Sequence, residues 1–307
     1  MASAPCSFRN PDPLPGFPAA FLPRRARPAP TVTLTLALVL ALTLAGPIGA
    51  GQGAALAQSR LEAQYEARLS GLKLGQGSWV VDAGESEFSE SVKGMTAGLA
   101  RIFGRGEGTG EVRGVVNGEG FSTQSYVASL TTGRGTEEVR IVMKAGSVKE
   151  LDIRPPLPPA SRRIPVTDAH KRNVFDPMSA ALLRVPGNGD LLAPENCQRH
   201  VAIFDGRLRF DLSFAFKRKE RLSVKGYDGE ALVCSVTFVP LAGHQPDRLA
   251  FKYLAAQRDI EVSLAPIAGT RVLAPVRLSV PTPLGRGELA ATQFIAAPLP
   301  KPVSKSQ

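Results

Sequence analysis

The chain reads as mainly β: a curved antiparallel meander, forming an incomplete barrel or barrel-like sheet, with one or two short helices. Three observations predict this. Apolar residues recur at every second position over long stretches, the intervening turns hold Asn-Gly and Asp-Gly pairs, and helix signals are sparse. The clearest strand is Leu208, Phe210, Leu212, Phe214 and Phe216, interleaved with Arg209, Asp211, Ser213, Ala215 and Lys217. Period two puts all five apolar side chains on one face, whereas a helix would scatter them.

The same alternation marks Ala63, Tyr65, Ala67 and Leu69, then Leu232, Cys234, Val236 and Phe238, then Val262 and Leu264, then Val276, Leu278 and Val280. Cys234 therefore faces inward. Sheets that are polar on one face are antiparallel as a rule, because parallel sheets are covered on both faces. Asn117-Gly118, Asp205-Gly206 and Asp228-Gly229 supply the positive φ that tight hairpins require. Roughly ten such strands curl instead of lying flat with one face wet.

The best helix begins at Asp176, which caps it, with Pro177 at the first helical position and Met178 to Arg184 following before Pro186-Gly187. Asp176 and Pro177 are thus a structural cap, and the apolar helix is expected to plug the concave side of the sheet. Shorter turns are expected at Thr167 to Lys171 and at Leu99 to Phe103. Pro155, Pro156, Pro158 and Pro159 make residues 155–165 a stiff crossover between strand sets at about 60–154 and 196–296. The expected organisation is a leader over 1–57, one β-rich domain over 58–297 and a disordered tail over 298–307.

The leader carries an address. Arg24, Arg25 and Arg27 precede an apolar run from Val32 to Ala45, and Ala55-Leu56-Ala57 offers a small-x-small cleavage site. The expectation is a periplasmic or secreted protein after cleavage near Ala57. The alternative is a membrane anchor formed by the uncleaved signal, although Gly46, Pro47 and Gly49 interrupt the run.

Without the leader, 33 basic residues face 26 acidic ones, a net charge of about +7. A basic envelope protein meets lipid, lipopolysaccharide or an acidic envelope protein, and export removes nucleic acid from the expected partners. Cys6 leaves with the leader, and Cys197 and Cys234 remain. In an oxidising compartment an even pair reads as a disulfide. Its spacing is unlike the Cys-x-x-Cys of redox centres.

Catalytic signatures are weak. Gly104, Gly106, Gly108 and Gly110 do not make a phosphate loop, because Gly-x-Gly-x-x-Gly needs glycine where Thr109, Glu111 and Arg113 stand. On a strand the four glycines would leave one face bare, and the Asp176 helix is expected to pack there. Lys217, Arg218, Lys219 and Arg221 cluster around Glu220 at a hairpin end; they are candidate contacts for an anionic ligand, or a solvated turn. His170, His200 and His244 stand in three segments without metal-ligand spacing, so neither a metal nor a cofactor is expected.

Several segments stand out together: Arg163-Ile164-Pro165-Val166-Thr167, Asp176-Pro177-Met178-Ser179-Ala180, Phe204-Asp205-Gly206-Arg207, Arg209-Phe210-Asp211, Ala242-Gly243-His244, Leu264-Ala265-Pro266 and the two cysteines. Taken together they resemble an exported bacterial family, domain of unknown function 3108. The resemblance spans about residues 62–296. It implies an envelope location and a β-rich fold, and it transfers no catalytic residue. The expected function is non-enzymatic binding of an amphiphile or cell-envelope component in the curved sheet. One alternative is an assembly factor that docks a protein partner on a sheet edge. Another is an enzyme, either a hydrolase using His244 or His200 or a thiol oxidoreductase using Cys197 and Cys234.

Overall fold

The computed structural model describes residues 58–98, 104–118, 120–157 and 162–299. The leader with its signal and Cys6, the turn expected at Leu99–Phe103, Pro158, Pro159 and the chain beyond Leu299 lie outside the described residues.

Seven strands come first: β1 (Ser59–Leu69), β2 (Leu72–Ala83), β3 (Glu87–Thr96), β4 (Gly106–Asn117), β5 (Gly120–Thr132), β6 (Gly135–Lys144) and β7 (Ser147–Arg154). A connection follows that holds the short β8 (Leu183–Arg184). The second set is β9 (Arg199–Phe204), β10 (Arg209–Val224), β11 (Tyr227–Ala242), β12 (Ile260–Pro266), β13 (Val272–Thr282) and β14 (Gly285–Pro298). All belong to one antiparallel sheet of fourteen strands, more than the alternation suggested. Strands β3, β6 and β7, which lie inside the strand set expected at about 60–154, carry Ser, Thr, Glu and Lys on many positions and so show little apolar alternation.

Within each set neighbours in sequence are neighbours in space, and β1 pairs with β14 to join the two meanders. The pairing runs from Ser59 opposite Pro298 to Leu69 opposite Gly287, so the last strand reaches one residue past the boundary expected at 297. The outer strands are β7 and β9, and the sheet does not close by hydrogen bonds between them. Side chains and the connection span the gap instead. Phe175 bridges in parallel to Ile203, Gly206 packs on Val139 and Leu151, and Arg207 pairs with Glu137.

Two large apolar cores result, with a small third cluster of Ala180, Val201 and Ile203. The first gathers the inward residues of β1 to β6, such as Leu61, Val81, Phe88, Val112 and Ile141, with Phe204 and Phe294. The second gathers Val185, Cys197, Leu232, Cys234, Phe238, Val262, Leu264 and Leu273. Strands β11, β12 and β13 serve both. Ala231, Ala265, Val272 and Ala274 face the first core, while Leu232, Leu264 and Leu273 face the second.

Two local expectations are corrected. The Asp176 segment is no helix of two turns but a 3-10 turn over Ser179–Ala181, because Leu183 and Arg184 pull away to pair with Leu273 and Val272 as β8. The hairpin between β10 and β11 turns at Lys225-Gly226, where Gly226 has φ +88° and its tip packs on Phe294; Asp228 lies within β11 and pairs with Arg221. The turn at Thr167 is present as a 3-10 turn over Asp168–Lys171. The α-helix α1 (Leu249–Ala256) was not anticipated, since its first turn holds no acidic residue and Arg248 offers no side-chain cap.

Candidate functional site

The glycines of β4 do bare one face of the strand. Strand alternation turns Gly106, Gly108 and Gly110 to the side of buried Val112, and a Cβ on Gly110 would stand 2.8 Å from the Met178 sulfur. Close approach of the Asp176 segment therefore depends on Gly110. The bare patch continues sideways, because Gly77, Gly94 and Gly108 lie opposite one another on β2, β3 and β4.

Beneath that segment lies a buried polar cluster. Asp176 is fully buried, and its Oδ1 accepts the backbone N–H groups of Met178 (2.9 Å) and Ser179 (3.0 Å). Its Oδ2 accepts the Thr123 hydroxyl at 2.5 Å, and the Ser179 hydroxyl lies 3.0 Å from the same threonine oxygen. Glu90, inward on β3, accepts the Trp79 indole N–H at 3.1 Å. Burial, with the Asp176 charge added, holds the Glu90 carboxyl well above the usual carboxylate range, and the Trp79 bond opposes this only in part. Burial also pushes up the Tyr126 phenol, helped by Asp176 and Asp205. These groups tie β2, β3 and β5 to the crossover.

On the opposite face of the same strands an open groove of about 440 Å³ crosses β14, β1, β2, β3 and β4. Its side chains stand in two cross-strand rows. Gln64, Ser78, Lys93 and Thr109 form one, and Glu66, Gln76, Met95 and Glu107 form the other. Among the described residues, the side chains of Gln64, Gln76, Ser78, Lys93, Glu107 and Thr109 have no hydrogen-bond or ion-pair partner. At the rim Glu66 accepts from Lys73 (2.8 Å) and Arg68 (2.7 Å), which hold its carboxyl below the usual range. Amides, hydroxyls, one cation and one carboxylate thus line the groove with their bonding capacity uncommitted.

The fold and both faces of the sheet can be set beside known proteins. The model of a family described as Protein of unknown function (DUF3108) matches residues 64–292. The chain belongs to the DUF3108 family. A solved structure, a β-barrel-like protein of domain of unknown function DUF1849 from Brucella abortus, is similar at 7% identity and a TM-score of 0.45. That alignment covers 80% of this chain and 99% of the other. No match was found among curated proteins.

The remaining residues of interest in this DUF3108 chain fall elsewhere. Cys197 and Cys234 form a disulfide inside the second core, both fully buried. The basic cluster is matched by carboxylates: Lys217 with Asp259 and Glu261, Arg218 with Glu220 and Glu261, Lys219 with Asp190, and Arg221 with Asp228. These four cations lie within β10, not at its hairpin end, and face this chain's own acids. Asp176 caps as expected, but it caps a short turn, with Pro177 between it and the two amides it binds.

The histidines stay apart. His170 accepts the Thr167 N–H, and His244 is buried against Phe251. His200 Nδ1 lies 3.1 Å from the Ser213 hydroxyl and its Nε2 lies 3.0 Å from Asp211. The three stand in series, but with the ring nitrogens reversed relative to a Ser-His-Asp relay, where Nε2 faces the serine and Nδ1 the aspartate. The His200 side chain is also 59% exposed on a strand face, Arg209 engages Asp211, and the groove does not reach these residues.

Sequence reasoning missed Glu90 and the groove. Glu90 had a usable signal, a carboxylate at an inward position between Phe88 and Val92. The groove had none, because its residues are ordinary outward positions until the register brings four strands' worth together.

Proposed function

We propose that this is an exported, non-enzymatic envelope protein whose groove across β1 to β4 holds the polyhydroxyl head of an amphiphile, such as the saccharide of a lipopolysaccharide. One observation carries the reading: six polar side chains, none with a hydrogen-bond or ion-pair partner among the described residues, line one groove of about 440 Å³. Hydrogen-bonding groups left free at the same place suit a ligand rich in hydroxyls. The leader and the buried disulfide support a periplasmic setting.

Calorimetry with purified lipopolysaccharide and with its delipidated core oligosaccharide tests this. Both are expected to bind, and Gln76→Ala with Lys93→Ala should weaken both by about tenfold, the loss of one or two charge-assisted hydrogen bonds. Binding of neither, binding unchanged in the variant, or binding of the lipid-bearing form alone would overturn it.

A second reading has its own observation. Among the described residues β7 pairs only with β6, so its outer edge is available for strand addition by an envelope protein. Crosslinking in cells from a photoreactive residue at Lys149 would recover that partner, and recovery of none would remove the reading.

A further inference from the structure

The three most exposed large apolar side chains of the described residues are Leu249 (82%), Leu284 (76%) and Leu72 (58%). The topology brings them to one end of the sheet. Leu72 follows the β1–β2 turn, Leu284 sits in the β13–β14 turn, and Leu249 opens α1 between the end of β11 and the start of β12. The two hairpins are fastened together, since the Ser70 N–H donates to Arg286 O (2.9 Å) and the Ser70 hydroxyl donates to Leu284 O (2.8 Å). Arg286 also pairs with Asp259, just before β12, tying in the connection that holds α1.

Cations outnumber acids around these leucines. Across 66–73, 247–259 and 282–288 there are six, Arg68, Lys73, Arg248, Lys252, Arg258 and Arg286, against four carboxylates, Glu66, Asp247, Asp259 and Glu288. Arg68 and Lys73 pair with Glu66 and Arg286 pairs with Asp259, whereas Arg248, Lys252 and Arg258 have no carboxylate partner among the described residues. Single apolar side chains at turn tips beside such cations match an interface that is apolar below and anionic above. A soluble partner surface would bury them in a continuous apolar patch instead, and here they stand on separate tips.

We infer that this end of the sheet docks on an anionic lipid surface, with Leu72 and Leu284 entering the headgroup layer and the surrounding cations meeting lipid phosphates. The docking surface meets the groove at Glu66 and Lys73, but Gln76→Ala with Lys93→Ala, which weakens saccharide binding, leaves docking untouched because neither side chain belongs to the three segments. It also differs from retention by the leader, because it acts through the folded sheet.

Hydrogen–deuterium exchange of the full chain with vesicles of phosphatidylglycerol and phosphatidylethanolamine tests it. The expected result is slowed exchange at residues 69–73 and 282–286, with Leu72→Ser plus Leu284→Ser reversing the protection and lowering vesicle partition by about tenfold. Both side chains project into solvent, so the variant should keep the wild-type melting profile. Vesicle association without protection at the hairpins would assign binding to Val32–Ala45 and overturn the inference. Equal protection in the double variant would overturn it, as would protection that appears with protein concentration alone and so belongs to a second copy.

Discussion

The two cores share three strands and are held by opposite chemistry. The first core has a polar inlay, with Asp176, Thr123, Ser179, Glu90 and Trp79 bonded within an otherwise apolar interior. The second is apolar and carries a covalent staple, Cys197–Cys234. The inlay fixes where the crossover sits, because a carboxylate that must bind two particular amides and one hydroxyl accepts a single placement. The staple acts on the unfolded chain as much as on the folded one, by closing a loop of 37 residues. One core is positioned by directional bonds, the other secured by restricted chain freedom.

The largest effect should come from removing the staple. Cys197→Ser with Cys234→Ser is expected to lower unfolding stability by about 4 kcal/mol on the loop-entropy model. Urea titration without reductant measures it, and a loss under about 1 kcal/mol would mean that the second core is sufficient alone. Next, Asp176→Ala should cost about 3 kcal/mol, by leaving the Met178 and Ser179 amides and the Thr123 hydroxyl without their buried acceptor. If the same titration gives a cost no larger than that of an exposed substitution, the inlay has no positioning role.

The subtlest effect concerns pH. A Glu90 carboxyl held above its ordinary value of 4.5 keeps its proton in the fold after the unfolded chain has released it. Stability from this group is therefore fully present below that value and is lost as pH rises above it. Glu90→Gln cannot ionise, so the variant should gain on the wild type as pH is raised from 4 toward 8. Thermal unfolding of both proteins across that range reads the difference, and a difference independent of pH would contradict the assignment.

Much of the second set of strands was legible. Leu208 to Phe216 alternate cleanly in sequence, and Phe210, Leu212 and Phe214 do pack on the second core, but Phe216 is exposed and Arg209 is buried; Cys234 could be turned inward by the same rule. Ala231 to Cys234 are all buried, so two-sided burial erases the alternation there. The bare face of β4 was visible as glycines two apart, and Met178 lies against Gly110 as the spacing suggested. The length of the Asp176 helix was not visible, since nothing in Leu182-Leu183-Arg184 announces the pairing with β13 that ends it. Basic residues 217–221 could be located but not their acids, because Asp190, Asp259 and Glu261 come from other segments.

The pairing of β1 with β14 has a consequence for how the chain could be cut. Ser59 and Pro298 stand opposite one another, so joining them and opening the connection between β7 and β9 would yield a circular permutant. Its thirteen main strands would follow one another from edge to edge, every ladder local. In the natural order the seam between first and last strands spans 238 residues, so it closes the longest loop of any ladder in the sheet.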